Sequence, residues 1–197
     1  EPERFDRHLY KLKRQVKKVD YVSICSPNYL HDAHIRIALR NDANAICEKP
    51  LVLNPWNIDA LQVVEEETGR TINTILQLRH HPDVLKLKKD LSSNASQKKN
   101  DVVLTYITSR GKWYLFSWKG NTEKSGGIAT NIGIHFFDML IWLFGEVVKS
   151  EVHLSEAHKM SGYLELERAR VKWFLSIDKN DLPLAPCEGR SMTYRSI

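Results

Sequence analysis

Apolar residues in the first part of the chain recur with a helical period, then a strand period, then a helical one again. Phe5, Leu9, Leu12 and Val16 share one face of a helix predicted over residues 2–18. Residues 19–25 alternate and are rich in β-branched side chains, which predicts a strand, and Pro27 stops it. Asn28 is placed to cap a helix over residues 30–40. Asn41-Asp42-Ala43-Asn44 is turn chemistry, and residues 45–47 form a very short apolar strand that ends at Glu48-Lys49-Pro50. Asn54 followed by Pro55 has the signature of a helix start, Ile58, Leu61 and Val64 mark the inward face, and Gly69 suits the far end. Residues 71–78 read as the next strand.

Helix, strand, helix, strand, helix, strand with short connections predicts a parallel sheet covered by helices. Ligands of such sheets collect outside the carboxyl ends of the strands. Ser26-Pro27-Asn28, Glu48-Lys49-Pro50 and Gln77-Leu78-Arg79-His80 each follow a strand, so all three are expected at one edge.

The second part differs. His81-Pro82 breaks the chain, Asp83 caps a short basic helix over residues 84–91, and residues 92–100 are polar and loop-like. Residues 101–109 are a strand. The stretch from Arg110 to Trp118 carries Trp113, Tyr114 and Phe116, more aromatic surface than a plain loop needs, and reads as a pocket wall or an oligomer contact. Residues 146–155 and 164–177 alternate well enough for two or three more strands, an α+β layout with an antiparallel sheet.

Between these strands, residues 134–144 are apolar nearly all round, interrupted by His135 and Asp138, which predicts a buried helix. Asn131, His135 and Asp138 stand at i, i+4 and i+7, on one stripe of it. Unpaired buried polar groups cost ~1–3 kcal/mol each, so the stripe needs partners. Spacing alone allows two readings. One is a core histidine satisfied by a nearby carboxylate; the other is a chemical site, with Gly126-Gly127 letting the backbone approach a ligand.

With 197 residues, 42% of them apolar, the chain can bury a core and hold one large or two small domains. It shows no run of about 18 apolar residues and no leader-like segment, so no membrane partner is expected. Three scattered cysteines fit reduced thiols in the cytoplasm. A net charge of +5 without an aromatic ladder or reading motif argues against a nucleic-acid partner and suits an anionic small molecule. His31 with His34, and His80 with His81, lack a carboxylate or cysteine to complete a ligand set, so no metal is expected.

Glu48-Lys49-Pro50 at a strand end, Gly126-Gly127, and Asn131-x-Gly133-x-His135-x-x-Asp138 together resemble the Gfo/Idh/MocA oxidoreductases. Gln77-Leu78-Arg79-His80-His81-Pro82, residues 102–106, Arg110-Gly111-Lys112-Trp113-Tyr114 and residues 129–138 are similar to one branch of that family, the UDP-N-acetyl-2-amino-2-deoxyglucuronate 3-dehydrogenases of bacterial surface-polysaccharide (lipopolysaccharide) synthesis. The resemblance covers nearly the whole chain. It implies an α/β fold: residues 1–80 as the C-terminal part of a Rossmann dinucleotide-binding domain with a parallel sheet, and residues 81–197 as an α+β substrate-binding and oligomerisation domain. The second domain is expected to be incomplete at its C-terminus, with an open, mainly antiparallel sheet. Two departures stand out. The family's glycine-rich turn after its first strand is not among these residues, so the chain reads as an internal fragment. Asn131 stands where many relatives carry Asp, and an amide cannot take a proton.

The resemblance further implies an NAD-dependent enzyme, with NADP left open, that oxidises the C3 hydroxyl of a UDP-linked N-acetylamino-uronic acid as a cytoplasmic homo-oligomer formed through the open sheet. Lys49 and His135 are the implied catalytic pair, because a nearby cationic nicotinamide and partial desolvation favour the neutral amine. Asp138 is expected to hold the His135 tautomer. Asn131, Arg79, His80, Arg110, Trp113 and Tyr114 are the implied substrate contacts, Arg79 for an anionic group because its planar fork matches a carboxylate or phosphate. Ser26, Pro27, Asn28, His31, Glu48, Lys49 and Gln77 are the implied cofactor edge. Alternatives are a dehydrogenase of another sugar or cyclitol, and a non-catalytic scaffold of the same fold.

Overall fold

The structure, a computed structural model, describes residues 2–15, 18–93, 98–183 and 192–197. It divides into two compact units, the first of residues 1–75 with 123–126, the second of residues 76–122 with 127–197.

In the first unit, α1 (Pro2–Arg14), β1 (Tyr21–Ile24), α2 (His31–Arg40), β2 (Asn44–Cys47), α3 (Trp56–Thr68) and β3 (Ile72–Thr74) follow one another as the periodicity predicts. The sheet has the order β1-β2-β3, and both pairings are parallel, Ile24 opposite Cys47 and Cys47 opposite Thr74. All three carboxyl ends therefore share one edge. Ile35, Ala38 and Leu39 of α2 and Ala45 and Cys47 of β2 are fully buried, with Leu61 and Val64 of α3 closing the core. Each such large apolar side chain contributes about 1.5–3 kcal/mol. Asn54 caps α3, its Oδ1 accepting from the Trp56 backbone N–H at 3.1 Å, and Gly69 ends the helix at φ 63°, donating to the Glu65 carbonyl.

Three local readings change. α1 ends at Arg14, and Val16 lies outside the described residues. Asn28 does not cap α2; it opens a 3₁₀ turn (Asn28–Leu30), and its Nδ2 donates to the Ser125 carbonyl at 2.9 Å. The strand expected over 71–78 is only Ile72–Thr74, and Gln77–His80 forms a 3₁₀ turn. Leu78 packs into the second unit's core and Arg79 pairs with Asp138, which draws the segment away from the ladder and places it in the second unit.

The second unit holds α4 (Pro82–Ser93), β4 (Asn100–Thr108), α5 (Lys112–Phe116), α6 (Thr122–Ser125, grouped with the first unit from Glu123 on), α7 (Ile134–Phe144), β5 (Val147–Ser155), β6 (Lys159–Leu166), β7 (Ala169–Ser176) and β8 (Thr193–Ser196). Its sheet runs β5-β6-β7-β4-β8, with every pairing antiparallel except β4 with β7. On β7, Ala169, Val171, Trp173 and Leu175 are buried while Arg170 and Lys172 are exposed, so one sheet face is covered and the other open. α7 covers it through Phe136, Met139, Leu140 and Leu143; Phe136 meets Tyr106 at 4.8 Å between ring centroids, and Phe137 meets Trp173 edge-on at 5.3 Å. Thr122–Phe144 is long and apolar enough by composition to cross a membrane, but burial of these side chains makes it a core element. The aromatic stretch after β4 is helical at Lys112–Phe116 rather than an open loop.

Candidate active site

At the carboxyl edge of the first unit, Ser26 and Lys49 leave adjacent strands. The Glu48 backbone N–H donates to Ile24 O at 2.9 Å, which ties the exit of β2 to that of β1. Glu48 and Lys49 are half-buried, and Pro50 is buried. His31, at the start of α2, is fully buried, with Nδ1 2.7 Å from the Pro50 carbonyl and Nε2 2.8 Å from the Ser26 carbonyl. It was expected to border a cofactor; instead both ring nitrogens face backbone. Asn28, from the same expected edge, is buried against Ser125. His34 lies 2.9 Å from Ser26 Oγ, and burial first, then repulsion by His31, hold its pKa below the usual histidine range.

Cys47, at the end of β2, is fully buried, and burial, with smaller contributions from Glu48 and Cys25, pushes its thiol up to about 12 from 9.0. Thiol reagents act on the thiolate, so a mildly alkaline iodoacetamide pulse should modify exposed Cys25 and leave Cys47 intact until unfolding, as peptide mass mapping reads out. Equal labelling of both would contradict this burial. The unfolded thiol loses its proton first, so between about 9 and 12 the folded state loses stability as pH rises.

In the second unit, residues Ala129–Gly133 form a π-helical turn that feeds α7. Gly133 permits close packing there: a Cβ would lie 2.8 Å from Leu175 Cδ1 and 2.7 Å from Phe137 Cε2. Inside the turn, buried Asn131 donates from Nδ2 to the Tyr114 hydroxyl at 2.9 Å. Burial raises the Tyr114 phenol's pKa, partly offset by Asn131. His135, one turn on, is half-buried. Asp138 was expected to hold it; instead Asp138 accepts from both Nε (2.7 Å) and Nη2 of Arg79. The Arg79 fork, expected to meet an anionic ligand, is thus engaged within the protein, and the Asp138 hydrogen bonds raise its pKa further. At the far end of α7, Lys88 donates to Trp142 O and the Arg168 guanidinium to Leu143 O, so cations meet these orphan carbonyls, while the Arg168 backbone N–H donates to Phe144 O. Burial lowers the Lys88 pKa, with Arg168 and Arg79 adding to it.

Gln77, His80, Arg110 and Trp113 are exposed, and Lys119 sits 5.4 Å from the Trp113 ring and 5.6 Å from the Trp118 ring. The structure thus joins Arg79 to Asp138, Asn131 to Tyr114, and His31 to Ser26 and Pro50. The sequence reading missed Ser125, Lys88, Arg168 and Lys119: the Ser125 carbonyl accepts from Asn28 97 residues away, and Lys88 and Arg168 reach main-chain carbonyls 54 and 25 residues away, which no local motif announces, while Lys119 lies beside the nearby Trp113 and Trp118 rings. Among the described residues no group of three or more His, Cys, Asp or Glu is arranged to hold a metal.

Residues 3–75 match the family profile described as "Oxidoreductase family, NAD-binding Rossmann fold", and residues 100–178 match "Oxidoreductase family, C-terminal alpha/beta domain". The WlbA (WbpB) dehydrogenase of Thermus thermophilus, solved with NAD and UDP-GlcNAcA, is 53% identical with a TM-score of 0.94, covering 99% of this chain and 63% of that one. A second structure of that dehydrogenase, with NAD and alpha-ketoglutarate, is 55% identical with a TM-score of 0.89, covering 93% and 59%. The D-glucoside 3-dehydrogenase of Escherichia coli (strain K12) is 25% identical over 131 residues, 65% of this chain and 36% of that protein. The chain thus spans about a third of that curated relative and under two thirds of the two solved structures.

Proposed function

The chain belongs to the Gfo/Idh/MocA oxidoreductase family, and we propose that the protein oxidises the C3 hydroxyl of a UDP-linked N-acetylamino-uronic acid with NAD, in the cytoplasm, for surface-polysaccharide synthesis. The observation that carries this reading is the 53% identity, over 99% of the chain, to a dehydrogenase solved with NAD and UDP-GlcNAcA. Residues 1–80 act as the dinucleotide-binding part and residues 81–197 as the substrate-binding and oligomerisation part. A second copy covers the open sheet face that carries exposed Val103 and Lys172.

The parallel edge fits the nicotinamide side of the cofactor, because Glu48 and Lys49 leave it half-buried beside Ser26. NAD, when bound, supplies the hydride acceptor. The chain's own task is to hold the sugar and move the hydroxyl proton. Lys49 takes part as the amine that orients and helps deprotonate the hydroxyl, and His135 takes part in proton transfer. Asn131, fixed by Tyr114, offers an amide to the sugar, while exposed Arg110, Trp113, His80 and Gln77 supply surface for the uronate, the nucleotide or the cofactor.

The test is a substrate panel with the full-length protein in excess over NAD. NADH should form with the UDP-linked uronate and not with the free uronate, free glucose or inositol. Turnover of a free sugar or cyclitol alone would favour the other dehydrogenase reading, and no heat on calorimetric titration with NAD would favour a scaffold.

A further inference from the structure

His31 is the buried titratable group whose chemistry is most tightly fixed by what faces it. Nδ1 approaches one backbone carbonyl at 2.7 Å and Nε2 another at 2.8 Å, with the ring fully buried. A carbonyl oxygen accepts hydrogen bonds and has none to give, so the ring is seated between the two carbonyls by donation from its N–H.

The two carbonyls belong to the turns that leave neighbouring strands. Ser26 follows β1, and Pro50 directly follows Lys49 at the end of β2. We propose that His31 is a positioning residue that bridges the two turns and holds the backbone from which Lys49 projects. It touches neither substrate nor cofactor, and acts through Lys49. This role rests on the reading of Lys49 given above.

Steady-state kinetics of the full-length protein test it. Kinetically, His31→Gln should lower kcat by about 10–100-fold, since small misplacements of a catalytic group cost on that order, with the KM for substrate and NAD changing within about threefold of the parent, as expected when a transition-state interaction alone is weakened. Leu39→Ala, a fully buried core change on the same helix, controls for general loosening and should keep the parent kcat at a temperature where both variants are folded. A His31→Gln kcat equal to that of Leu39→Ala would overturn the inference. Lys49→Ala run alongside separates the two ideas. If it keeps full turnover, the reading of Lys49 is wrong; if it is inactive while His31→Gln matches the control, only the role of His31 is wrong.

Discussion

Lys49→Ala in the full-length protein should lower turnover by about 10²–10⁴-fold, the range that a positioned acid–base group supplies, and leave the melting temperature nearly unchanged. Lys49 follows β2 at a half-buried position, and the turn is held by the Glu48 N–H at Ile24 O and by the His31 ring at the Pro50 carbonyl. Removing the amine therefore leaves the sheet edge intact while withdrawing the group proposed to receive the hydroxyl proton. NADH absorbance gives the rate, and calorimetric titration with NAD shows whether binding survives. Parent-like turnover in a folded variant would remove Lys49 from the mechanism.

Arg79→Ala is expected to be the costlier half of the Arg79–Asp138 pair, by about 3 kcal/mol, against about 2 kcal/mol for Asp138→Ala. The asymmetry follows from exposure. The Asp138 side chain is 9% exposed and that of Arg79 is 40% exposed, so the orphaned carboxylate has little water to turn to while the orphaned guanidinium has some. Because the pair pins Gln77–His80 onto α7, its loss also frees a turn that carries Leu78 into the core. At this chain length each kcal/mol shifts Tm by roughly 2–4 °C, so thermal melts resolve the two variants. The double variant should lose less than the sum, as partners in contact do. A stable Arg79→Ala protein would show that the pair is a surface contact of little consequence.

The alternation of helix and strand through Thr74, the cap at Asn54 with Gly69, and the greasy helix 134–144 were legible because each depends on residues close in sequence. What periodicity could not give was the destination of polar side chains. Asn28 looks like a cap, yet its partner Ser125 is 97 residues away. Arg79 and Asp138 stand 59 residues apart, and each looked available for a different role. His31 looked like a ligand-edge histidine because its two acceptors are main-chain carbonyls, which every residue has and no motif marks. The π-helical turn at Ala129–Gly133 and the parallel β4–β7 pairing also leave no local signature, since both are settled by packing against the sheet.

The proposed reaction is most directly tested by isotope transfer. UDP-GlcNAcA carrying deuterium at C3 is incubated with NAD and the full-length protein in excess over cofactor, and the nicotinamide product is analysed by mass and NMR. Deuterium at C4 of the reduced nicotinamide is the predicted result; reduced cofactor without label, or no reduced cofactor at all, would contradict oxidation at C3.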